Sequence, residues 1–396
     1  MPLSGAKTGG YGQGVARIAI NPDVLTWALL DSERTVADLE GATSRPRQVI
    51  DQWIAGTSKP HLGDLRKIAA LLGRSPHFFA LPEPPEGRTY SGRFRTAIAG
   101  NVDPYERAIE IAALRWAQRQ QDLGKSLLSA DDFSKPFATD REAEAVASDA
   151  RTWLQWETKT QVDAASKSGA FKKLRVAVEH QQIIVTLRSA ATTRFCGFSL
   201  PDSLLPVIYI NKDYELGSVR SFTLMHELGH ILHAQRRVCY GGDAGVERWC
   251  NQFAAAFLMP AGDVTQYFKK VNLEFSSPSD TDPVRRVANR FKTSWLAAAI
   301  RLEELQLAPD GIADFVRTGK PEPKEKGYNP QGGRKTPELR VDEFGSTYVR
   351  IISAALDSGK IPDLDARRIL RVDGREELSE TRAIAESEWR LTRVRP

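Results

Sequence analysis

From Pro22 to Leu81 the apolar residues recur at intervals of three and four: Leu25, Ala28, Leu29, Val36, Leu39, Val49, Ile50, Trp53, Leu65, Ile68, Ala69 and Leu72. That spacing is the stripe of amphipathic helices. Polar breaks at 42–46 and 55–62 divide it into four or five short helices packed as one bundle. The prolines of LPEPPEGR (81–88) end the bundle, because proline cannot continue a helix. A second helical pattern covers about 104–157, where Trp116, Trp153 and Trp156 fall on core positions. Then the period changes. LRVAVEHQQIIVTLRSA and FCGFSLPDSLLPVIYINKD carry β-branched runs and turn residues, predicting strands near 174–179, 182–187, 194–198 and 206–210. Helices return at 217–235 and 243–259, and two or three short ones are expected within 282–317. GKPEPKEKGYNPQGGRKTPE (319–338) reads as a linker, and a last helical piece runs over about 341–392.

The class this predicts is α+β: a mostly helical multidomain chain with a small β-sheet in a central domain. A length of 396 residues exceeds one ordinary core. The expected divisions are a leader (1–20), a helical bundle (21–82), a helical connector (83–165), the central domain (166–318), the linker (319–338) and a helical C-terminal domain (339–396). The net charge of +5 is compatible with nucleic-acid contact and too small to argue for it. Three cysteines without a CxxC pair exclude a disulfide framework and a cysteine-rich zinc module, and fit a reducing cytosol. No stretch approaches the ~20 apolar residues of a membrane span, and the N-terminus has no apolar signal core. A cytoplasmic protein with no membrane partner is therefore expected.

Candidate chemistry sharpens this picture at one place. The chain has six histidines, and His226, His230 and His233 fall within eight residues. Residues four apart share a helix face with a rise of about 6 Å, so His226 and His230 can converge on one metal ion. Glu227 between them can reach a water at that ion. His233 lies about 10 Å along the axis from His226, too far to join both histidines on one zinc. It is a candidate for the surrounding polar shell, or with Tyr240 for an oxyanion donor. The third ligand must come from elsewhere, and Glu247 at the start of the next apolar helix is the candidate, with Asp243 and Glu215 as rivals. Two imidazoles and a carboxylate suit zinc, and also accept manganese or iron.

The run VIYINKD, SFTLMHELGHILH and GVERWCNQFAAAFLMP resembles the ImmA/IrrE family of zinc metallopeptidases, strongly over roughly 170–310. That family's pattern is a strand ending in Asn, then FTxxHELGHxxxH, then ExxANxFAxxLLMP. Here Asn211, Phe222, Thr223, His226 to His230, His233, Glu247, Asn251, Phe253, Ala254 and Leu258 to Pro260 match it, with Cys250 in place of Ala. The resemblance implies His226, His230 and Glu247 as ligands and Glu227 as catalytic base. The tail FGSTYVRIISAALDSGKIPDLDARRIL is similar to the helical end of the family's radiation-response members.

Residues 22–80 resemble a helix-turn-helix domain of the Xre/Cro type, with a scanning helix at 35–42 and a recognition helix at 46–54. The resemblance implies Arg45, Arg47, Gln48, Gln52 and Lys59 as contacts to double-stranded DNA. Glu40 stands where the scanning helix usually has a small residue, and Ala42-Thr43-Ser44 lacks the usual glycine of the turn.

Together these features predict a site-specific zinc metalloendopeptidase that cleaves a regulatory protein, a helix-turn-helix repressor, and so derepresses stress or mobile-element genes. The alternative is a DNA-binding regulator, or antitoxin-like protein, whose metal domain senses without proteolysis. Intact Glu227 favours the enzyme, because a structural zinc needs no base.

Overall fold

A computed structural model describes residues 17–32, 34–84, 104–128, 137–193, 195–214, 217–233, 244–319 and 335–392. Residues 1–16 of the expected leader, the body of the expected linker, and Glu215, Tyr240 and Asp243 lie outside the described residues, whereas Ile18 and Ile20 of that leader pack on the helical bundle. The fold is α+β as expected, mostly helical with one small sheet. The chain divides into two compact units, and the boundary falls inside one long helix after Ala112.

The N-terminal unit contains α1 (Pro22–Asp31), α2 (Val36–Thr43), α3 (Arg47–Ile54), α4 (Leu62–Leu71) and a 3-10 turn at Pro76–Ala80. The predicted apolar stripe is its interior: Leu25, Ala28, Leu39, Ile50, Trp53, Leu65, Ile68 and Leu72 are buried, and Val36 and Val49 pack at its edge. Thr35 and Asp38 form a reciprocal capping box at the start of α2. After α2 the chain turns through Ser44 in the left-handed conformation (φ 58°). Serine thus occupies the turn where a glycine is more usual, at a modest conformational cost.

The larger unit begins within α5 (Pro104–Leu127) and continues through α6 (Ala143–Trp153), α7 (Thr158–Val162) and α8 (Lys167–Glu179). A three-stranded sheet follows, made of β1 (Ile184–Arg188), β2 (Gly197–Leu200) and β3 (Val207–Asn211). Its order is β1-β3-β2, with β1 parallel and β2 antiparallel to β3. Then come α9 (Gly217–His233), α10 (Ala244–Leu258), α11 (Ala261–Lys270), α12 (Asp282–Phe291), α13 (Trp295–Glu304) and α14 (Ile312–Thr318). The C-terminal helices are α15 (Thr336–Phe344), α16 (Ser346–Asp357), α17 (Asp363–Leu370) and α18 (Arg375–Thr392).

One predicted strand is a helix. Val176 and Val178 alternate as in a strand, but Ser166 caps Gly169 N, and Ala170, Phe171, Leu174, Ala177 and Val178 form a helical stripe that ends in α8. The β-branched pair is accommodated because α8 is buried nearly all round. Helices α7 and α11 lie where the apolar periodicity foretold none.

The sheet is covered on both faces, so its strands read as continuous apolar runs. On one face Val185, Leu187, Ile208 and Ile210 pack with Leu224, Met225 and Leu228 of α9. On the other, Tyr209 meets Trp116 of α5 and stacks on Phe198, while Trp116 packs on Phe344 of α15. Gly124 lets α5 press on Leu205 and Ile184. Asn211, fully buried at the end of β3, donates to the carbonyls of Thr192 and Phe195 and accepts from Ala190 N and Asp213 N. That set of bonds holds the loop between β1 and β2 at the sheet's end.

Candidate metal centre

Helices α9 and α10 pack side by side, and their seam holds the site. Gly229 lies against α10: a Cβ there would come within 3.2 Å of Phe253 and 3.3 Å of Cys250. The missing side chain therefore makes room for α10, and so for the close approach of Glu247 to the histidines. Behind the seam, Trp249 and Phe253 stack at 5.5 Å, and Phe253 is fully buried.

Three donor side chains converge on the other side. His226 Nε2 lies 3.3 Å from Glu247 Oε2, His230 Nε2 3.2 Å from Glu247 Oε1, and the two imidazole nitrogens 3.2 Å from each other. A tetrahedral ion with bonds of about 2.0–2.1 Å separates its donors by about 3.3–3.4 Å. The triangle has that size. Two imidazole lone pairs and a carboxylate crowded together repel unless a cation, or protons, lie among them. The donor set and its spacing thus fit a bound divalent metal, and this is the only such cluster of His, Cys, Asp and Glu among the described residues.

The imidazoles are prepared for that role. His226 is fully buried, and its Nδ1 lies 3.0 Å from Asn251 Oδ1. An Nδ1–H donated to the amide oxygen leaves the Nε2 lone pair directed at the triangle. Asn251 is four residues after Glu247, on the same face of α10. Where their Nε2 atoms carry protons in place of a metal, hydrogen bonds from His226 and then from His230 hold the Glu247 carboxyl well below the usual carboxylate range. Glu247 therefore offers an anionic oxygen to a cation across the whole physiological range.

Glu227 follows His226 on α9, is 2% exposed, and accepts at Oε2 from Ser199 Oγ at 2.9 Å. His233 is turned elsewhere: its ring packs edge-on against Trp249, with centroids 5.3 Å apart. Trp249 in turn donates from Nε1 to Arg141 O, and Thr139 Oγ1 bonds Leu232 O, tying the segment before α6 to the end of α9.

Residues 179–303 match the Peptidase_M78 family model, the IrrE N-terminal-like domain. The match covers that segment alone. It supports the ImmA/IrrE resemblance, suggests a metallopeptidase-like function, and implies a metal. No curated protein and no solved structure matches the chain. No described helix is long and apolar enough to cross a membrane.

The M78 match begins after the N-terminal unit, whose helix-turn-helix candidates are placed as follows. Arg47, Gln48, Gln52 and Lys59 are exposed on and after α3, and Arg47 faces Asp51 at 3.8 Å. Arg45 is exposed too, and its Nε lies 3.2 Å from both oxygens of the nearly buried Asp64 side chain on α4.

Two residues that sequence reasoning passed over belong to the centre. Asn251 stands in the family pattern, but its duty to His226 appears only when α10 is packed. Ser199 carried a weaker signal, a lone hydroxyl in a strand that is buried throughout and must find a partner.

Proposed function

We propose that this protein is a zinc-dependent metalloendopeptidase that cuts a regulatory protein, a helix-turn-helix repressor being the substrate class the N-terminal unit suggests. The observation that carries this reading is the triangle of His226, His230 and Glu247, with Glu227 next to His226 on the same helix. His226, His230 and Glu247 would hold the metal, a set of three protein ligands as in catalytic zinc sites. Zinc bound there supplies Lewis acidity, which acidifies water and polarises a peptide carbonyl.

The chain's own residues do the rest. Asn251 fixes the His226 tautomer, and Glu227 accepts the proton of the attacking water and delivers it to the leaving amine. His226 and Glu227 are buried, which strengthens their electrostatic contacts. A repressor-like N-terminal unit suits recognition of a partner of its own type. The exposed Arg45, Arg47, Gln48, Gln52 and Lys59 are its contacts with DNA if that unit binds a duplex.

Metal content and cleavage test the reading together. Wild type and Glu227→Gln should carry one zinc per chain, and His230→Ala and Glu247→Ala should lose it. Co-expression with helix-turn-helix repressors from neighbouring genes should give cleavage only with Glu227 intact. Full zinc without cleavage of any such repressor, combined with specific DNA retention that disappears in Arg47→Ala, would replace the enzyme by a regulator.

A further inference from the structure

β2 and α9 run beside each other in matched repeat. Alternate residues of a strand are about 6.8 Å apart, and residues four apart on a helix rise about 6 Å. Gly197 accordingly falls opposite Thr223, and Ser199 opposite Glu227. At Gly197 the approach is so close that a Cβ would lie 2.7 Å from Thr223 Cγ2 and 2.6 Å from Tyr209 O. Phe198, between them, points to the far face of the sheet and stacks on its cross-strand partner Tyr209 at 4.8 Å. The direction of the Ser199 side chain is thus set by the pleat, and it enters the interior at Glu227 Oε2.

A buried hydroxyl in that place has a use. The terminal torsion of a glutamate is broad and two-fold, so an untethered carboxylate presents either oxygen over a range of angles. Among the described residues, the hydrogen bond from Ser199 is the one that the Glu227 side chain makes. Ser199 is 4% exposed and Glu227 2%, so water competes little for that bond.

We propose that Ser199 is a positioning residue for the catalytic base: by occupying Oε2 it sets the carboxylate plane and leaves Oε1 as the oxygen that exchanges the proton. The proposal rests on the metallopeptidase reading above and names a residue that the metal-binding helices do not contain. It also gives β2 a part in catalysis through α9, independent of any contact between β2 and substrate.

A double-mutant cycle with a chelating probe tests it without a known substrate. Acetohydroxamate binds a metal through two oxygens and shares its remaining proton with a neighbouring carboxylate, so its affinity reports where that carboxylate is held. Titration calorimetry on the zinc-loaded full chain would compare wild type, Ser199→Ala, Glu227→Gln and the double variant, with Ser199→Thr as the conservative replacement. Ser199→Ala should weaken acetohydroxamate by about fivefold, the worth of one hydrogen bond. It should have no effect once Glu227 is already Gln, and Ser199→Thr should restore binding. Zinc content and thermal transition should stay constant across the set.

An equal loss in both backgrounds would make Ser199 merely structural and overturn the proposal. So would unchanged affinity in Ser199→Ala with Glu227 intact. A wild type that takes up no zinc, or binds zinc but no acetohydroxamate, overturns the metallopeptidase reading first and the proposal with it. The zinc measurement separates that failure from the failure of Ser199 alone.

Discussion

Two helix seams in the larger unit each carry a carboxylate that faces charged or polar neighbours, and the protein uses them in opposite ways. At the α9–α10 seam, Glu247 is partly exposed, and the imidazoles of His226 and His230 hold its carboxyl well below the usual range. At the junction of α8 with α15 and α16, Glu179 is fully buried, and burial pushes its carboxyl up from 4.5 to about 7, against the pull of Arg175. Arg175 stands 3.7 Å from it and spends its other nitrogen on the carbonyls of Val185 and Val341. Glu388 on α18 adds a like charge that favours the protonated form.

The second seam is closed by its own groups: Thr347 bonds the Glu179 carbonyl, and Gly345 turns at φ 86° above the carboxylate. The first leaves three donors pointing at a shared point. Burial of a carboxylate alone therefore does not mark a functional site. What marks it is convergence of donors at metal-ligand spacing.

The comparison breaks most severely if a donor is removed. His230→Ala or Glu247→Ala should lower zinc affinity by well over the ~100-fold that loss of a supporting contact can cost, as read by competition with a chelator. Glu227→Gln should leave zinc bound and reduce cleavage by about 10²–10⁴-fold, the contribution of a proton-transfer group.

Next in size is Gly345→Ala at the closed seam. Its Cβ would fall 2.2 Å from Glu179 Oε1 and 2.7 Å from Val185 O, on a backbone that disfavours side chains. A loss of about 3 kcal/mol or more is expected in denaturant unfolding, with zinc content per folded chain unchanged.

The pH dependence of Glu179 separates the seams by sign. Its folded pKa lies above its unfolded one, so the folded state holds the proton longer. Stability from this group is thus full below about 4.5 and declines as pH rises to about 7. Glu179→Gln should flatten that decline, which amounts to on the order of 2–3 kcal/mol, in unfolding measured across that interval. Glu247 has the opposite sign: its stabilising contacts are lost only on acidification, as pH falls through its depressed folded value.

The mildest test is Asn251→Ala. Loss of the partner that sets the His226 tautomer should cost ~10–100-fold in zinc affinity while the fold stays intact. An affinity unchanged by Asn251→Ala would mean that packing alone orients His226.

Much of this was legible in the chain. The stripes in 22–81 named the N-terminal core, and the run from Phe222 to His233 foretold α9 and the two histidines that meet on it. Such features are legible because they are local: an interval of four along a helix sets which side chains meet, whatever else folds around them. Glu247 is a sequence candidate too, from its place at the start of the next apolar helix, and the ImmA/IrrE resemblance favours it over Asp243 and Glu215.

Tertiary packing decided the remainder. It made 167–179 a helix despite the alternating Val176 and Val178, because a segment buried on every side loses the amphipathic period that separates helix from strand. It gave Arg45 to Asp64, turned His233 onto Trp249, and set Asn251 and Ser199 behind His226 and Glu227. By itself the sequence determined which donors exist and which pair shares a helix face. Which third donor joins them, and what holds each in place, follows from contacts between segments distant in the chain, which no local period encodes.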